Sequence, residues 1–325
     1  MGRPAMVTAF KRVSIACGVL SFLIGALPAF ASDAVTLPSG FFVSGSIDGV
    51  LAHRNTSSGP IVIPTAGPGT IIDADDFSLK SGSGADARLR VGYGQWSLEG
   101  RFLGNFQKDS DIPNLGAVGN VRIGSFSNFG ATALSGAAST KMQAWELNLR
   151  WQAQPWFTPF IGYRELKLTD HTALTITFPA FSAVYNFSTP WLARGVQIGA
   201  DLRLLGPGTT WQPGPFFFDL DARLGFFHVS ADSAFLLLPS TGGSFPGSSS
   251  FSKNNSVISE FGATVGYQFT PNWDIHAGYR LLIAQNVVTA NDYAVAATAQ
   301  STQSAVPSGH QMTMNMFTVG TRLTF

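Results

Sequence analysis

Residues 314–325, MNMFTVGTRLTF, alternate between large apolar side chains and smaller or polar ones. One parity carries the large apolar residues Phe317, Val319, Leu323 and Phe325. The other parity carries threonine, glycine, methionine and Arg322. Because successive side chains of a β-strand point to opposite faces, the segment predicts a strand with two different faces. One face toward lipid and one toward an enclosed lumen is typical of a transmembrane β-barrel.

The same alternation recurs in nine segments closer to the N-terminus. These segments are 41–53, 84–93, 95–107, 141–152, 157–168, 191–204, 215–229, 257–269 and 273–284. Together with the terminal segment they give ten strands, an even number as expected for a bacterial single-chain barrel. The β-forming runs 61–72 and 172–181 leave eight to twelve strands open, as hairpins above the membrane or as a further barrel pair. A parity change between Tyr163 and Leu166 predicts a β-bulge near Arg164.

The composition excludes most alternatives to a membrane barrel. Only 12% of the 325 residues are charged and 45% are hydrophobic, whereas a soluble domain carries about 25% charged residues. Outside the first thirty residues, no apolar run reaches the ~18 residues that a membrane-spanning helix needs. We therefore expect an all-β protein, an antiparallel transmembrane β-barrel.

Residues 1–31 have the organisation of a secretory signal peptide. Three cations precede an apolar stretch, and Ala29-Phe30-Ala31 matches an A-x-A cleavage site. We expect residues 32–325 to form the barrel domain. Cleavage would remove Cys17, the single cysteine, and would leave 17 Lys and Arg against 19 Asp and Glu. This balance provides no basic field for nucleic acid.

The connections between predicted strands alternate in length. Short ones carry turn residues such as Gly94 and Pro271, and they cover 94–95, 153–156, 205–214 and 270–272. Five long ones cover 54–83, 108–140, 169–190, 230–256 and 285–311. In bacterial barrels the short turns face the periplasm and the long loops face outside.

Tryptophans also mark the predicted membrane boundaries. Five of the seven lie at or beside short turns and predict an aromatic girdle at the inner interface: Trp96, Trp151, Trp156, Trp211 and Trp273. The remaining two, Trp145 and Trp191, are predicted to mark the outer interface.

The strand parity places ten acids and ten bases in the lumen. An unpaired buried ion costs several kcal/mol, so each of these groups must pair or contact water. A ten-stranded lumen is closer in size to a filled eight-stranded barrel than to a porin of 16–18 strands, and we expect it to be narrow or closed. The predicted lumen network contains Glu99, Arg101, Glu146, Arg150, Asp201, Arg203, Asp219, Asp221, Arg223, Glu260, Arg280 and Arg322. The other inward charges are Asp48, Asp86, Arg88, Arg90, Arg164, Glu165, Lys167 and Asp274.

The alternating residues Phe317, Val319, Leu323 and Phe325 resemble the terminal assembly signal of Gram-negative outer-membrane proteins. This resemblance implies recognition by the barrel assembly machinery, with Phe325 as the residue whose loss most harms insertion. The last sixty residues resemble the closing strands of porin-type barrels, most clearly in YQFTPNW (267–273) and AGYRLL (277–282). That resemblance implies an outer-membrane location, contact with outer-membrane lipid and lipopolysaccharide, and pore formation for small solutes.

Catalytic groups are sparse in the sequence. Asp274-x-His276 resembles the Asp-x-His pair of omptin proteases, but it follows the short turn at Pro271, at the end opposite to omptin chemistry. Asp170-His171 and the acids around Asp73 fall on the outer side, where an Asp-His base could activate water. Solvated loop residues are the alternative interpretation. We expect no enzyme activity, no cofactor and no metal.

The sequence thus predicts an integral outer-membrane barrel that is either a narrow porin-like channel for small solutes or a structural wall protein with an ion-paired lumen. An adhesin or receptor is the alternative, because the long loops combine Ser, Thr and Asn with aromatic residues such as Phe126 and Tyr185. A hydrolase at the outer rim is the third hypothesis.

Overall fold

A computed structural model describes residues 40–55, 58–65, 69–77, 81–206, 214–302 and 304–325. The predicted signal peptide, 1–31, lies outside the described residues. The strands and the α-helix are, in chain order, β1 (Phe41–Arg54), β2 (Pro60–Pro64), β3 (Ile72–Asp73), β4 (Ser81–Tyr93), β5 (Trp96–Ile112), β6 (Gly119–Ile123), β7 (Phe126–Ala131), β8 (Ala133–Trp151), β9 (Phe157–Thr177), β10 (Ser182–Leu205), β11 (Phe216–Pro239), β12 (Phe245–Thr270), β13 (Trp273–Val287), α1 (Ala290–Gln300) and β14 (His310–Thr324).

Ten of these strands close into an antiparallel barrel, which confirms the predicted fold. The order around the ring is β1, β14, β13, β12, β11, β10, β9, β8, β5 and β4, and β4 pairs again with β1. Closure satisfies the backbone groups that an open sheet edge would leave unpaired. Two-residue turns such as 94–95, where Gly94 has a φ of +57°, define the "turn end" of the barrel. The long connections define the opposite "loop end".

The outer face of the barrel carries an apolar band. On four neighbouring strands, β8 to β11, one cross-strand row consists of Leu147, Tyr163, Val196 and Phe226. All four side chains are about half exposed. A contiguous apolar surface is unfavourable in water but matches the hydrocarbon of a bilayer.

The strands extend further at the loop end than the alternation predicts. β10, β11 and β12 contain 24, 24 and 26 residues, whereas a tilted strand crosses a bilayer in about 9–11 residues. In this extension of β11 the inner face remains buried, as at Phe235 and Leu237, but the outer face mixes Asp232 and Ala234 with Leu236 and Leu238. The sequence therefore loses its lipid-facing pattern although the strand continues, and the predicted loops 169–190 and 230–256 are largely strand.

The long connections fold into a cap at the loop end. β3, β2, β6 and β7 form a separate four-stranded sheet, and α1 packs against β2, β9 and β10. An apolar core that includes Ile61, Val121, Leu174 and Tyr293 joins this "loop-end cap" to the inner face of the extended strands. The β-forming run 61–72 thus belongs to the cap and not to the barrel. Among the described residues, no helix has the length and apolar character needed to cross a membrane.

The α-helix was not predicted, although its first residues carry a capping signal. Thr289 caps the helix by accepting from the Asp292 N–H, and the Asp292 carboxylate accepts from the Thr289 N–H. This capping box is followed by an alanine-rich run of good helix formers.

The predicted β-bulge near Arg164 is wrong. β9 pairs with β8 and β10 without a register shift around this residue, so the parity is continuous. Leu166 therefore points into the lumen and is fully buried, while Glu165 and Lys167 point outward. The error came from the assumption that every inward residue is polar, because the lumen is apolar at this height.

The same assumption misplaced Trp191. The prediction put it in the outer girdle, but its side chain is fully buried in the lumen and its Nε1 donates to the Asn286 carbonyl at 2.9 Å. Trp145, in contrast, is 60% exposed on the outer face.

Cysteine substitution tests this register, because Cys17 is the only natural cysteine. In the chain lacking residues 1–31, Lys167→Cys should react with a water-soluble maleimide, whereas Leu166→Cys should react only after unfolding. Mass spectrometry of the labelled protein gives the two rates. Equal labelling of both variants in the folded protein would contradict the continuous parity of β9.

Candidate functional site

Inward side chains divide the barrel lumen into three layers. At the turn end lies a polar cavity, the "vestibule". Above it is the "charge layer", whose buried members are Asp86, Glu99, Arg101, Glu146, Arg150, Arg164, Arg223, Glu260 and Arg280. Toward the loop end follows the "apolar layer", which includes Leu103, Met142, Leu166, Trp191, Phe227, Leu282 and Met314.

Arg101 lies at the centre of the charge layer with no exposed side-chain surface. Its Nε and Nη2 donate to the two carboxylate oxygens of Asp86 at 2.9 and 2.8 Å. Its Nη1 donates to Glu146 at 2.9 Å and to Glu260 at 2.8 Å. Because Asp86, Glu146 and Glu260 belong to β4, β8 and β12, one guanidinium connects strands on different sides of the ring.

The carboxylates of this layer each receive several donors. Glu260 accepts from Arg101, from Arg164 at 2.8 Å and from Arg280 at 3.0 Å. Glu146 accepts from Arg223 at 2.6 Å in addition to Arg101. Charge-assisted bonds of this kind are roughly twice as strong as neutral ones.

The charges in this layer are nearly balanced. Four buried carboxylates face five buried guanidinium groups, and the partly exposed Asp201 and Asp221 contact three of these arginines. The planar guanidinium fork suits several carboxylate contacts at once better than a lysine ammonium does. Removing any one partner leaves a charge uncompensated in a dry interior, which is far more costly than losing a surface pair.

The vestibule is a cavity of about 540 Å³ that opens at the turn end. Two ion pairs line it: Arg203 to Asp219 at 2.8 Å, and Arg322 to Asp274 at 2.7 Å. Both guanidinium groups lie over the ring of Phe217, 5.0 and 5.3 Å from its centroid. The vestibule ends at the charge layer.

The Asp274-His276 pair faces the lumen near the vestibule. Its imidazole contacts Asp274 through Nδ1 at 2.9 Å and Asp48 through Nε2 at 2.7 Å. Arg322 holds the same Asp274 carboxylate. Every polar atom of the imidazole is thus engaged in the wall of the barrel, at the turn end.

The apolar layer and the loop-end cap close the other end of the lumen. Thr298 of α1 donates to the Ile61 carbonyl at 2.8 Å, and Thr172 of β9 donates to Asn291 at 2.6 Å. Tyr185 of β10 donates to Asn128 of β7 at 2.7 Å, which bonds the barrel wall to the cap sheet. Burial raises the pKa of this phenol to about 12, so its hydroxyl stays protonated as the donor. The helix is therefore bonded both to the cap sheet and to the barrel wall.

The predicted network residues fall into two groups. Glu99, Arg101, Glu146, Arg150, Arg223, Glu260 and Arg280 lie in the charge layer. Asp201, Arg203, Asp219 and Arg322 line the vestibule, and Asp221 lies between the two. Glu165 and Lys167 were wrongly assigned to the lumen.

The predicted girdle residues are only partly on the outer face. Trp96, Trp151 and Trp273 are exposed at the turn end, and Trp96 stacks on Trp151 with ring centroids 6.1 Å apart. Trp156 turns toward the vestibule instead. Trp211 lies outside the described residues.

The residues that resemble an assembly signal share one face. Phe317, Val319, Leu323 and Phe325 are all exposed on the outer side. The backbone of Phe325 exchanges two hydrogen bonds with Val43, at 2.7 and 2.8 Å.

The outer-side groups considered for catalysis, Asp170, His171 and Asp73, do not come together in one site. Asp170 points inward, where it pairs with Arg54 at 3.1 Å and accepts from Thr140. His171, the next residue, is exposed on the opposite face. Asp73 caps a 3-10 turn by accepting from the Asp75 N–H. In the described ranges, no group of three or more His, Cys, Asp or Glu side chains could hold a metal ion.

A closed antiparallel ring with an apolar band outside and ion pairs inside defines this chain as a transmembrane β-barrel. No protein-family model matches it, and no curated protein sequence is significantly similar. Solved structures that it resembles are Gram-negative outer-membrane barrels. The outer-membrane protease OmpT of Escherichia coli aligns over 91% of this chain and 100% of its own, with 11% identity and a TM-score of 0.43.

The toluene transporter TodX of P. putida aligns over 89% of this chain and 91% of its own, with 8% identity and a TM-score of 0.34. Neisserial surface protein A aligns over 88% and 98%, with 14% identity and a TM-score of 0.27. At these scores the alignments carry no inference about what this chain binds or does.

Replacing a buried arginine of the charge layer should lower the free energy of unfolding far more than replacing an exposed arginine. Arg101→Met should lower the free energy of unfolding by about 3–5 kcal/mol, because three carboxylates lose their shared counter-ion. Arg194→Gln is the matched control, since its pair with Glu165 is exposed and contributes less than about 1 kcal/mol. Urea unfolding in lipid vesicles measures both. A loss below 1 kcal/mol for Arg101→Met would show that the layer is not held by this residue.

Proposed function

We propose that this chain is an outer-membrane wall protein: a barrel with a permanently filled lumen that stiffens the membrane and does not conduct solutes. The observation that carries the proposal is Arg101, which bridges Asp86, Glu146 and Glu260 across the lumen and has no exposed side-chain surface. The narrow-channel hypothesis requires an aqueous path through this point.

Three separate barriers support the closed state. The charge layer fills the cross-section above the vestibule. The apolar layer above it excludes ions because it offers no groups that replace their hydration. The loop-end cap adds a third barrier, since α1 is hydrogen-bonded to both the cap sheet and the barrel wall. Opening a path would require all three barriers to move.

The proposal places the turn end in the periplasm and the loop end outside the cell. Short turns at the inner side and long connections at the outer side are the usual arrangement in such barrels. The exposed tryptophans Trp96, Trp151 and Trp273 would then lie at the inner interface. The predicted signal peptide, 1–31, would direct export to the periplasm, where the barrel assembly machinery would act on the face formed by Phe317, Val319, Leu323 and Phe325.

Planar-bilayer recording tests the closed lumen. The refolded chain should give no discrete conductance steps at moderate voltage and neutral pH. Replacing residues 288–309, which contain α1, by a short Gly-Ser linker should leave the membrane silent, because the charge layer closes the lumen independently. An open porin recorded in the same lipid is the control. Stepwise conductance from the unaltered chain would support the narrow-channel hypothesis instead.

The loop end favours surface binding as a second candidate function. The extended strands and the cap share an apolar core, so they form a rigid projection instead of mobile loops. This projection exposes apolar side chains that a purely structural wall protein does not need: Leu115, Phe181, Leu238, Phe245 and Val306.

If the loop end binds a surface, substitutions there should reduce attachment without reducing thermal stability. Leu238→Asp combined with Val306→Asp should reduce attachment of the purified protein to host cells at least tenfold without changing its thermal stability, because both side chains are exposed. Leu89→Asn, on the lipid-facing band, is a control that should not alter attachment. Attachment that is unchanged in the double variant would remove this role.

A further inference from the structure

The vestibule at the turn end is a concave site that the closed lumen does not require. Its volume of about 540 Å³ lies within the range of roughly 300–1,000 Å³ that is usual for small-molecule sites. Residues of β1, β4 and β9 to β14 line it, so the rigid barrel wall forms it from nearly every side. In the proposed orientation the vestibule opens toward the periplasm.

The charged side chains of the vestibule are already paired. Arg203 pairs with Asp219 and Arg322 pairs with Asp274, while the two remaining charges pair with side chains of the charge layer. The lining contains three arginines and three aspartates, Arg90, Arg203, Arg322, Asp201, Asp219 and Asp274. An ionic ligand would have to break one of these pairs and leave its partner uncompensated. The vestibule therefore favours a ligand without formal charges.

The paired side chains still present hydrogen-bonding groups to the cavity. The side chains of Arg203, Asp219 and Arg322 are 24%, 23% and 32% exposed. The ion pairs use Nε and Nη2 of Arg203 but only Nε of Arg322, and a guanidinium carries further N–H donors. The amides of Gln152 and Gln268 also line the vestibule. Donors and acceptors thus lie side by side, which suits hydroxyl groups because each hydroxyl both donates and accepts.

Aromatic side chains form the apolar part of the vestibule wall. Phe217 is buried beneath the guanidinium groups of Arg203 and Arg322, so it positions these two cations. Trp156 and Phe42 are only partly buried and line the same cavity. An aromatic face is apolar and carries partial negative charge, which suits contact with the C–H groups of a ligand.

We infer that the vestibule binds an uncharged saccharide of one or two sugar rings. A sugar ring carries hydroxyl groups along its edge and C–H groups on its faces, and these two surfaces match the paired polar wall and the aromatic wall. A purely apolar molecule would leave the polar wall without hydrogen bonds, and an ion would disrupt the ion pairs. The location of the sugar in the periplasm rests on the proposed orientation, but the site itself does not.

Calorimetric titration tests the site. The chain is refolded in a detergent without a sugar head group and titrated with cellobiose, N,N′-diacetylchitobiose, glucose phosphate or the dipeptide glycylphenylalanine. One or both uncharged disaccharides should bind saturably, with one site per chain. The absence of saturable binding for both disaccharides would overturn the inference. Equal or tighter binding of the sugar phosphate or of the zwitterionic dipeptide would also overturn it, because the ion pairs would then open for charge.

Two tryptophans at the turn end provide matched variants. Trp156→Ala should weaken disaccharide binding at least about tenfold, because it removes an aromatic wall of the vestibule. Trp151→Ala removes the same side chain from the outer face, where Trp151 is exposed and stacks on Trp96, and should change the affinity less than about twofold. Equal losses in both variants would show that the sugar does not bind in the vestibule.

A second vestibule variant guards against a folding defect. Gln152→Leu keeps the approximate size of the side chain but removes its amide, and it should weaken binding at least about threefold. Thermal unfolding verifies that each variant is folded. Unchanged affinity in folded Gln152→Leu and folded Trp156→Ala would overturn the inference.

Chain length distinguishes two sources of the sugar. A chitin hexasaccharide that binds as tightly as the disaccharide would identify the end of a glycan strand as the ligand, whereas binding at least about tenfold weaker would identify a free sugar. The proposed function fails in a different way. Stepwise conductance would remove the closed lumen and leave sugar binding intact, and a silent membrane without sugar binding would remove only this inference.

Discussion

The closed ring of backbone hydrogen bonds is the constraint on which this structure depends. Once ten strands pair on both sides, each side chain faces either the surroundings or a shared interior, and the pleat assigns these two directions alternately. The sequence must then supply two different surfaces from one period-two pattern. This chain places aliphatic and aromatic residues outward and distributes its charges inward, where ten strands leave too little width for an open aqueous channel.

In the dry interior of the barrel, each charged side chain is stabilised by several partners of opposite charge. Arg101 serves three carboxylates, and Glu260 serves three arginines, so no single pair carries the layer. Such an arrangement gains conformational specificity, because a register slip of one residue would move the charges of the shifted strand into lipid and leave their partners unpaired. The apolar layer and the cap then use ordinary side-chain packing, which is available only where the strands rise beyond the membrane.

The sequence was sufficient to predict the ring, ten strands within an open range of eight to twelve, the turn ends of the strands and the ion-paired interior. These features follow from residues that suit only one environment. The aromatic pair Trp96 and Trp151 suits the membrane interface, and the alternating side chains of β14 suit a strand between lipid and lumen. It failed where the inward face is apolar: Leu166 and Trp191 have the chemistry of lipid-facing residues, and only the register shows that they are inside. The fold of the cap was not predictable, because long-range packing of short strands and one alanine-rich helix determines it.

Proton exchange at a single guanidinium group can show whether the lumen is sealed at the charge layer. In protein reconstituted in lipid vesicles, nuclear magnetic resonance can follow exchange of the Arg101 side-chain protons with bulk water. We expect these protons to exchange as slowly as the backbone amides of β5, far more slowly than those of the exposed Arg194. Exchange at Arg101 as fast as at Arg194 would show that water passes through the charge layer and that the lumen is not sealed there.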